Sequence, residues 1–320
     1  MTRRTKQFLR LLRRPFEWLG IGLGLAVFPL LPRRGLLVLC DFASRVMYRF
    51  DRRGRALALA NLRIVRNVRA AQGPATRAEE TVLRRSYRNM ARSVGYAFWT
   101  CVRAKARAAA SGEMSAEGKA FLAANGPAVT VSGHLGCWEI LSQLAVLEGH
   151  RMMSVAKDVG TRGMTRILMR ARESIGQKIV RADGAFRPLM AGLRAGDSLG
   201  LLVDQVVDPK DGGVWVRFFG RPFPASAAPA FFAAKGKAPV AVAWSRPLKD
   251  GRWRCDVVRI YSPADARDIW GFTQRCLADL EEVIRRHPSC WVLNYRYFRK
   301  TPTADELAQL EAREAKFART

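Results

Sequence analysis

A chain of 320 residues with 49% apolar side chains can bury one large core or two smaller ones, and its composition excludes wholesale disorder. The formal net charge of +28, carried mostly by arginine, predicts attraction to a polyanion: anionic lipid headgroups, an acidic carrier protein or nucleic acid. Six cysteines (Cys40, Cys101, Cys137, Cys255, Cys276 and Cys290) are scattered without a C-x-x-C pair or a Cys/His cluster. Neither a zinc site nor a disulfide framework is indicated, and reduced thiols on the cytoplasmic side are expected.

In chain order, Arg3, Arg4, Arg10, Arg13 and Arg14 precede an apolar run from Phe16 to Leu31, which Glu17 and Pro29 interrupt and Pro32-Arg33-Arg34 close. The run is short for a bilayer crossing and lacks the small-residue cleavage site of a signal peptide. Residues 1–50 are therefore expected to form a membrane-embedded or interfacial anchor whose arginines meet anionic lipid, with a buried core helix as the competing reading. From 51 to 120 the pattern is helical: Ala56–Val68, then Thr76–Val102, where Thr76 and Glu79 fit a capping box. Arg84, Arg85, Arg88 and Arg92 recur on the polar side of that second helix, the usual look of a solvated face.

The stretch Pro127–Leu141, PAVTVSGHLGCWEIL, carries the chemistry. Ala128–Val131 is a short apolar, β-branched run that predicts a buried strand. Ser132-Gly133 and Gly136 allow a tight turn, and from Cys137 the spacing of Trp138, Leu141, Leu144 and Ala145 predicts a helix. His134 then lies in the turn beyond the carboxyl end of a strand, where open α/β sheets place ligands. Glu139 follows five positions later; with His134 in the turn and Glu139 in the first helical turn, the imidazole Nδ1–H is expected to reach the carboxylate. That would leave Nε2 free to take a proton from a hydroxyl. Cys137 reads as packing, and His150 and His287 as surface or boundary residues.

Beyond this stretch, Arg151–Ala156 predicts a strand, Thr161–Ser174 a basic helix, Ile179-Val180 a strand, Phe186–Arg194 a helix stopped by Ala195-Gly196-Asp197, and Leu199–Val203 a buried strand ending at Asp204. The alternation implies a mostly parallel sheet with helical crossovers. Arg172 in a sheet crevice suits a phosphate and could equally be a salt-bridged helix residue. Asp204 can bind sugar hydroxyls, pair with Arg172 or cap the following turn. Val240–Trp244 and Trp253–Ile260, split by Lys249-Asp250-Gly251, predict a hairpin, and the tail from Thr303 predicts a peripheral charged helix.

The block SGHLGCWE, with its H-x-x-x-x-E, resembles the signature of the bacterial lipid A biosynthesis (late) acyltransferases, within the lysophospholipid acyltransferase-like superfamily. The Asp-Gln pair at Asp204-Gln205, the run Phe218-Phe219-Gly220-Arg221-Pro222 and the closing Pro288–Trp291 follow in the family's order. Pro229 stands where a glycine is usual, and Tyr295 where a histidine is usual. The resemblance implies an α/β acyltransferase with a mostly parallel central sheet and flanking helices: a lead-in over 51–120, a catalytic core over 121–300 and a charged helix over 301–320. It implies His134 and Glu139 as catalytic residues, and Arg172, Asp204, Gln205 and Gly136 as substrate-binding. It further implies acyl carrier protein or acyl-CoA as donor, a lipid A precursor or related glycolipid as acceptor, and a place on the cytoplasmic face of the inner membrane. No metal or cofactor is implied. A different lysolipid or glycolipid acceptor remains open. A basic nucleic-acid-binding protein is the remoter alternative, disfavoured because no module interleaves aromatic and basic residues.

Overall fold

The computed structural model describes residues 20, 22–24, 26–68, 73–124, 126–156 and 162–318. Of the expected N-terminal anchor, residues 1–19, 21 and 25 lie outside the described residues. Among those described, no helix is long and apolar enough to cross a membrane, so a membrane-crossing helix within 1–50 is not supported there.

Three helices lead in: α1 (Arg33–Phe50), α2 (Arg52–Val65) and α3 (Arg77–Trp99). Asp51 caps α2 through the Gly54 N–H (2.8 Å) and accepts a second bond from the Tyr87 hydroxyl (2.9 Å). The Thr76/Glu79 capping box is formed, and Arg63 adds an ion pair to Glu79 at 3.0 Å. After α4 (Ala104–Ser111) the chain alternates as expected: β1 (Gly112–Met114), α5 (Ala116–Ala124), β2 (Val129–Ser132), α6 (Trp138–Leu147), β3 (Met152–Ala156), α7 (Arg162–Ile175), β4 (Lys178–Arg181), α8 (Phe186–Arg194), β5 (Ser198–Leu202). The hairpin β6 (Gly213–Phe218) and β7 (Arg221–Ser226), helix α9 (Ala228–Gly236), strands β8 (Val240–Pro247) and β9 (Trp253–Tyr261), α10 (Ile269–Arg286) and α11 (Ala304–Phe317) complete it.

Seven strands form one sheet in the order β1-β9-β8-β2-β5-β3-β4, parallel throughout except for the β8/β9 hairpin. Both faces of the central strands are covered, the usual condition of parallel sheets. Val129, Val131, Leu199, Leu201 and Val203 pack on one side with α8, α9, α10 and the β6/β7 hairpin. On the other, Ile140, Leu141 and Leu144 of α6 form one cluster, and Phe121, Ala128, Ala145, Met152 and Ala241 form another.

Two elements were not anticipated. Strand β1 has only Gly-Glu-Met, a sequence with no strand signature, and exists by pairing with the edge of β9. The β6/β7 turn falls on Phe219 and Gly220, both with positive φ (51° and 72°), the conformation that tight hairpin turns require. The tail helix α11 is less peripheral than expected: Leu310 is buried, and Glu314 pairs with Arg217 at 2.9 Å.

Candidate active site

The turn from β2 into α6 is fixed at every residue that matters. Gly136 has φ +64°, and a Cβ there would lie 1.8 Å from the Ser245 carbonyl oxygen, so only glycine fits. Its N–H donates to the Cys290 carbonyl (2.8 Å), and the Cys137 N–H donates to Ser245 Oγ (2.7 Å). Leu135 bridges Trp291, and the His134 carbonyl accepts from the Val292 N–H at 3.2 Å. Gly136 thus sets the turn against β8, whereas a place in the substrate site was expected for it. Cys137 is fully buried and burial pushes its thiol up to about 12, in keeping with packing.

His134 does not meet its expected partner. Its Nδ1 lies 2.7 Å from Asp204 Oδ1, and its backbone N–H donates to Asp204 Oδ2 at 2.8 Å. The reason is sheet order: β2 and β5 are neighbours with Ser132 beside Leu202, so the residues two positions beyond each strand emerge side by side. Trp291 Nε1–H donates to Asp204 Oδ2 at 2.9 Å, giving a carboxylate with no solvent exposure three donors. Burial pushes the Asp204 carboxyl up, but the charge of His134 and the bonds from its ring, from Trp291 and from the His134 N–H outweigh it. The net direction is below the ordinary value. An ionised Asp204 can only accept, so Nδ1 carries the proton. On the far side the Gln205 side-chain amide Nε2 lies 3.2 Å from His134 Nε2 and donates to it when that nitrogen carries no proton.

Glu139 has a different partner. Arg172 Nε and Nη2 donate to its two oxygens at 2.9 and 2.5 Å, a bidentate pair that joins the first turn of α6 to the last turn of α7. The orientation of Nδ1 expected of Glu139 belongs to Asp204. Desolvation works against the charged guanidinium, yet Glu139 more than compensates, and the Arg172 pKa is raised.

These groups border a cleft of about 1350 Å³. His134, Glu139, Arg172 and Gln205 line it, while Asp204 stays behind the imidazole. Its lining includes the apolar Leu141, Val155, Phe186 and Phe231 and the basic Arg299 and Lys300. Reading the chain missed the support behind Asp204. Trp291 is 1% exposed and stacks on Tyr297 at 4.0 Å. Its segment is held by three buried polar side chains from the lead-in helices: Asn61 Nδ2 donates to the carbonyls of Leu293 (2.7 Å) and Tyr295 (2.8 Å), Ser86 Oγ to that of Trp291 (2.8 Å), and Asn89 Nδ2 to that of Ser289 (2.9 Å). Polar residues on the inward side of an amphipathic helix were the available signal.

An imidazole oriented by Asp204 at the border of a large, partly apolar cleft can deprotonate a hydroxyl beside a fatty chain. The family model described as "Bacterial lipid A biosynthesis acyltransferase" matches residues 2–300. No curated protein sequence matches the chain.

Proposed function

Because the chain belongs to the bacterial lipid A biosynthesis acyltransferase family and is thereby an acyltransferase, we propose that it moves a fatty acyl group from an acyl thioester, carried by acyl carrier protein, to a hydroxyl of a lipid A precursor. The observation that carries this reading is the Nδ1 bond of His134 to buried Asp204, which leaves Nε2 directed at Gln205 and the cleft. The acceptor hydroxyl replaces the Gln205 amide at Nε2 and gives up its proton there as its oxygen bonds to the thioester carbonyl carbon. Asp204 stabilises the imidazolium that results. Collapse of the tetrahedral intermediate breaks the C–S bond, and the sulfur leaves with the proton from Nε2 as a thiol. Arg172, whose Nη1 is not engaged by Glu139, or a turn amide meets the developing oxyanion or an acceptor phosphate.

Membrane attachment, on the cytoplasmic face, is part of the proposal; α1 supports the attachment. Its buried residues Leu36, Cys40, Ser44 and Tyr48 recur every fourth position, and a second apolar row, Val38, Phe42, Val46 and Phe50, points outward at 41–76% exposure. Arg34, Arg45 and Arg49 are exposed on the same helix. An apolar row flanked by arginines fits the interface of an anionic bilayer, where the helix lies in the membrane plane.

The test is an assay of purified protein with acyl carrier protein thioester and a lipid A precursor, read by mass spectrometry. The product is expected to gain one acyl mass, and His134→Ala to lower turnover by roughly 10²–10⁴-fold or more. A folded His134→Ala protein at the unaltered rate would end the reading. Replacing Phe42 and Phe50 by serine is expected to weaken sedimentation with anionic vesicles; unchanged sedimentation removes α1 from the membrane.

A further inference from the structure

The tip of the β6/β7 hairpin carries a side chain that its own turn disfavours. Phe218 pairs with Arg221, so Phe219 and Gly220 alone make the turn, at φ 51° and 72°. A turn with positive φ at both central residues favours Asn-Gly or Gly-Gly, and a bulky residue in the left-handed region persists only where its surroundings hold it there. Those surroundings belong to α10. The Phe219 N–H donates to the Glu281 carboxylate, and Arg285, paired with Glu281 at 3.3 Å, lays its guanidinium 5.0 Å from the centre of the Phe219 ring.

What the ring meets gives the strained turn a purpose. Phe219 is buried, with its ring centre 5.6 Å from that of Trp291, and Phe218 meets Trp291 edge-on at 5.8 Å. Both separations suit aromatic pairs. Asn61, Ser86 and Asn89 all bond to carbonyls, so they fix the backbone of the Trp291 segment and leave the two side-chain torsions of the indole unset. The second of these is a torsion with a broad, roughly two-fold profile. Turning it carries Nε1 away from Asp204 Oδ2, which lies 2.9 Å from it. Ring contacts restrain that turn, from Tyr297 and from the hairpin tip.

We propose that Phe219 is a positioning residue for the reaction: its ring, held in a strained turn by Glu281 and Arg285, keeps the Trp291 indole aimed at Asp204, and through Asp204 keeps the His134 imidazole oriented at the cleft. Phe219 is not among the described residues that line the cleft, so it acts through Trp291 and not on substrate. An asparagine at this position would serve the turn better and leave the indole with one ring fewer against it. The kinetic part of the inference rests on the acyl-transfer reading above, whereas the aim of the indole can be read without turnover.

The experiment uses the full-length protein with isotope-labelled tryptophan, the indole N–H of Trp291 being identified in its nuclear magnetic resonance spectrum by its loss in Trp291→Phe. Phe219→Asn keeps a turn-forming pair with Gly220 and removes the ring; Phe219→Leu keeps apolar bulk and serves if the first variant fails to fold by its melting curve. Solvent exchange of the Trp291 indole proton is expected to quicken at least about tenfold, and kcat to fall roughly 3–10-fold with KM little moved. In the Trp291→Phe protein, which has no indole N–H to aim, adding Phe219→Asn is expected to lower kcat by less than about twofold more, while the melting temperature falls as it does in the unaltered background. A ring that only fills the core gives the same kcat loss in both backgrounds. That additive result, or a folded variant with unmoved indole exchange, overturns the proposal. Quickened indole exchange in a protein that transfers no acyl group removes the acyl-transfer reading and leaves Phe219 as the residue that aims Trp291.

Discussion

Two carboxylates near the cleft each hold a basic side chain, and they are built differently. Asp204 has no exposure and receives three hydrogen bonds, from the His134 ring, the His134 backbone and Trp291. Glu139 has a side chain 14% exposed and receives two bonds from one guanidinium. The first arrangement cannot turn without leaving a buried charge unpaired, which costs about 3–5 kcal/mol, so it holds one tautomer of one ring. The second is a planar fork at the cleft wall, where a phosphate oxygen can compete with a carboxylate oxygen for the same guanidinium. The carboxylate at the strand ends is the more enclosed of the two, and the one between helices the more accessible.

The sharpest way to break this comparison is to neutralise each acid in turn. Asp204→Asn keeps the shape but withdraws the charge that stabilises the imidazolium, and kcat is expected to fall by roughly 10²–10⁴-fold. Glu139→Gln is expected to cost less, about 10–100-fold, with much of the effect in KM for the acceptor because it alters how Arg172 is held. Steady-state kinetics on both variants checks the order. A larger loss of kcat in Glu139→Gln than in Asp204→Asn would return the orienting role to Glu139.

A smaller change sharpens it. Trp291→Phe retains most of the ring that packs on Tyr297 and removes one donor from Asp204 Oδ2. Leaving that oxygen with only the His134 N–H is expected to cost about 1–3 kcal/mol in denaturant unfolding and to lower kcat more than KM is raised. A stability loss with kcat untouched would make Trp291 a packing residue only.

The same contrast explains what could be read from the chain. His134 in the turn after a buried strand follows from local pattern, as do Asp204 at the end of another strand, the capping box at Thr76 and the β8/β9 hairpin. The His134–Asp204 bond spans 70 positions and depends on β2 and β5 being neighbours, which no local pattern specifies. Glu139 was the nearest acid in sequence and for that reason the natural partner to expect. Trp291 was visible as part of a motif, but its bond to Asp204 depends on a loop anchored by Asn61, Ser86 and Asn89, three polar side chains that a helical pattern alone does not assign to a buried contact. Gly136 was legible as a turn residue; its placement against Ser245 depends on where β8 runs.

The mildest test uses acid. Asp204 has a folded pKa below its ordinary value, so its contribution to stability is present above about pH 4, the unfolded carboxyl value, and is lost as pH falls through the folded one. Glu79 behaves alike for another reason: the Arg63 bond, opposed by burial and aided by the Thr76 N–H, lowers it from 4.5 to about 2. Both acids therefore give stability that rises with pH over the same window, and single variants separate them. The gap in unfolding free energy between the unaltered protein and Asp204→Asn is expected to narrow as pH drops from about 7 to about 3, as is the gap to Glu79→Gln. A gap for Asp204→Asn that stays constant while the Glu79→Gln gap narrows would mean that Asp204 is already protonated in the fold. The proton on His134 Nδ1 would then no longer be dictated by its neighbour, and the difference between the two carboxylates would reduce to one of burial.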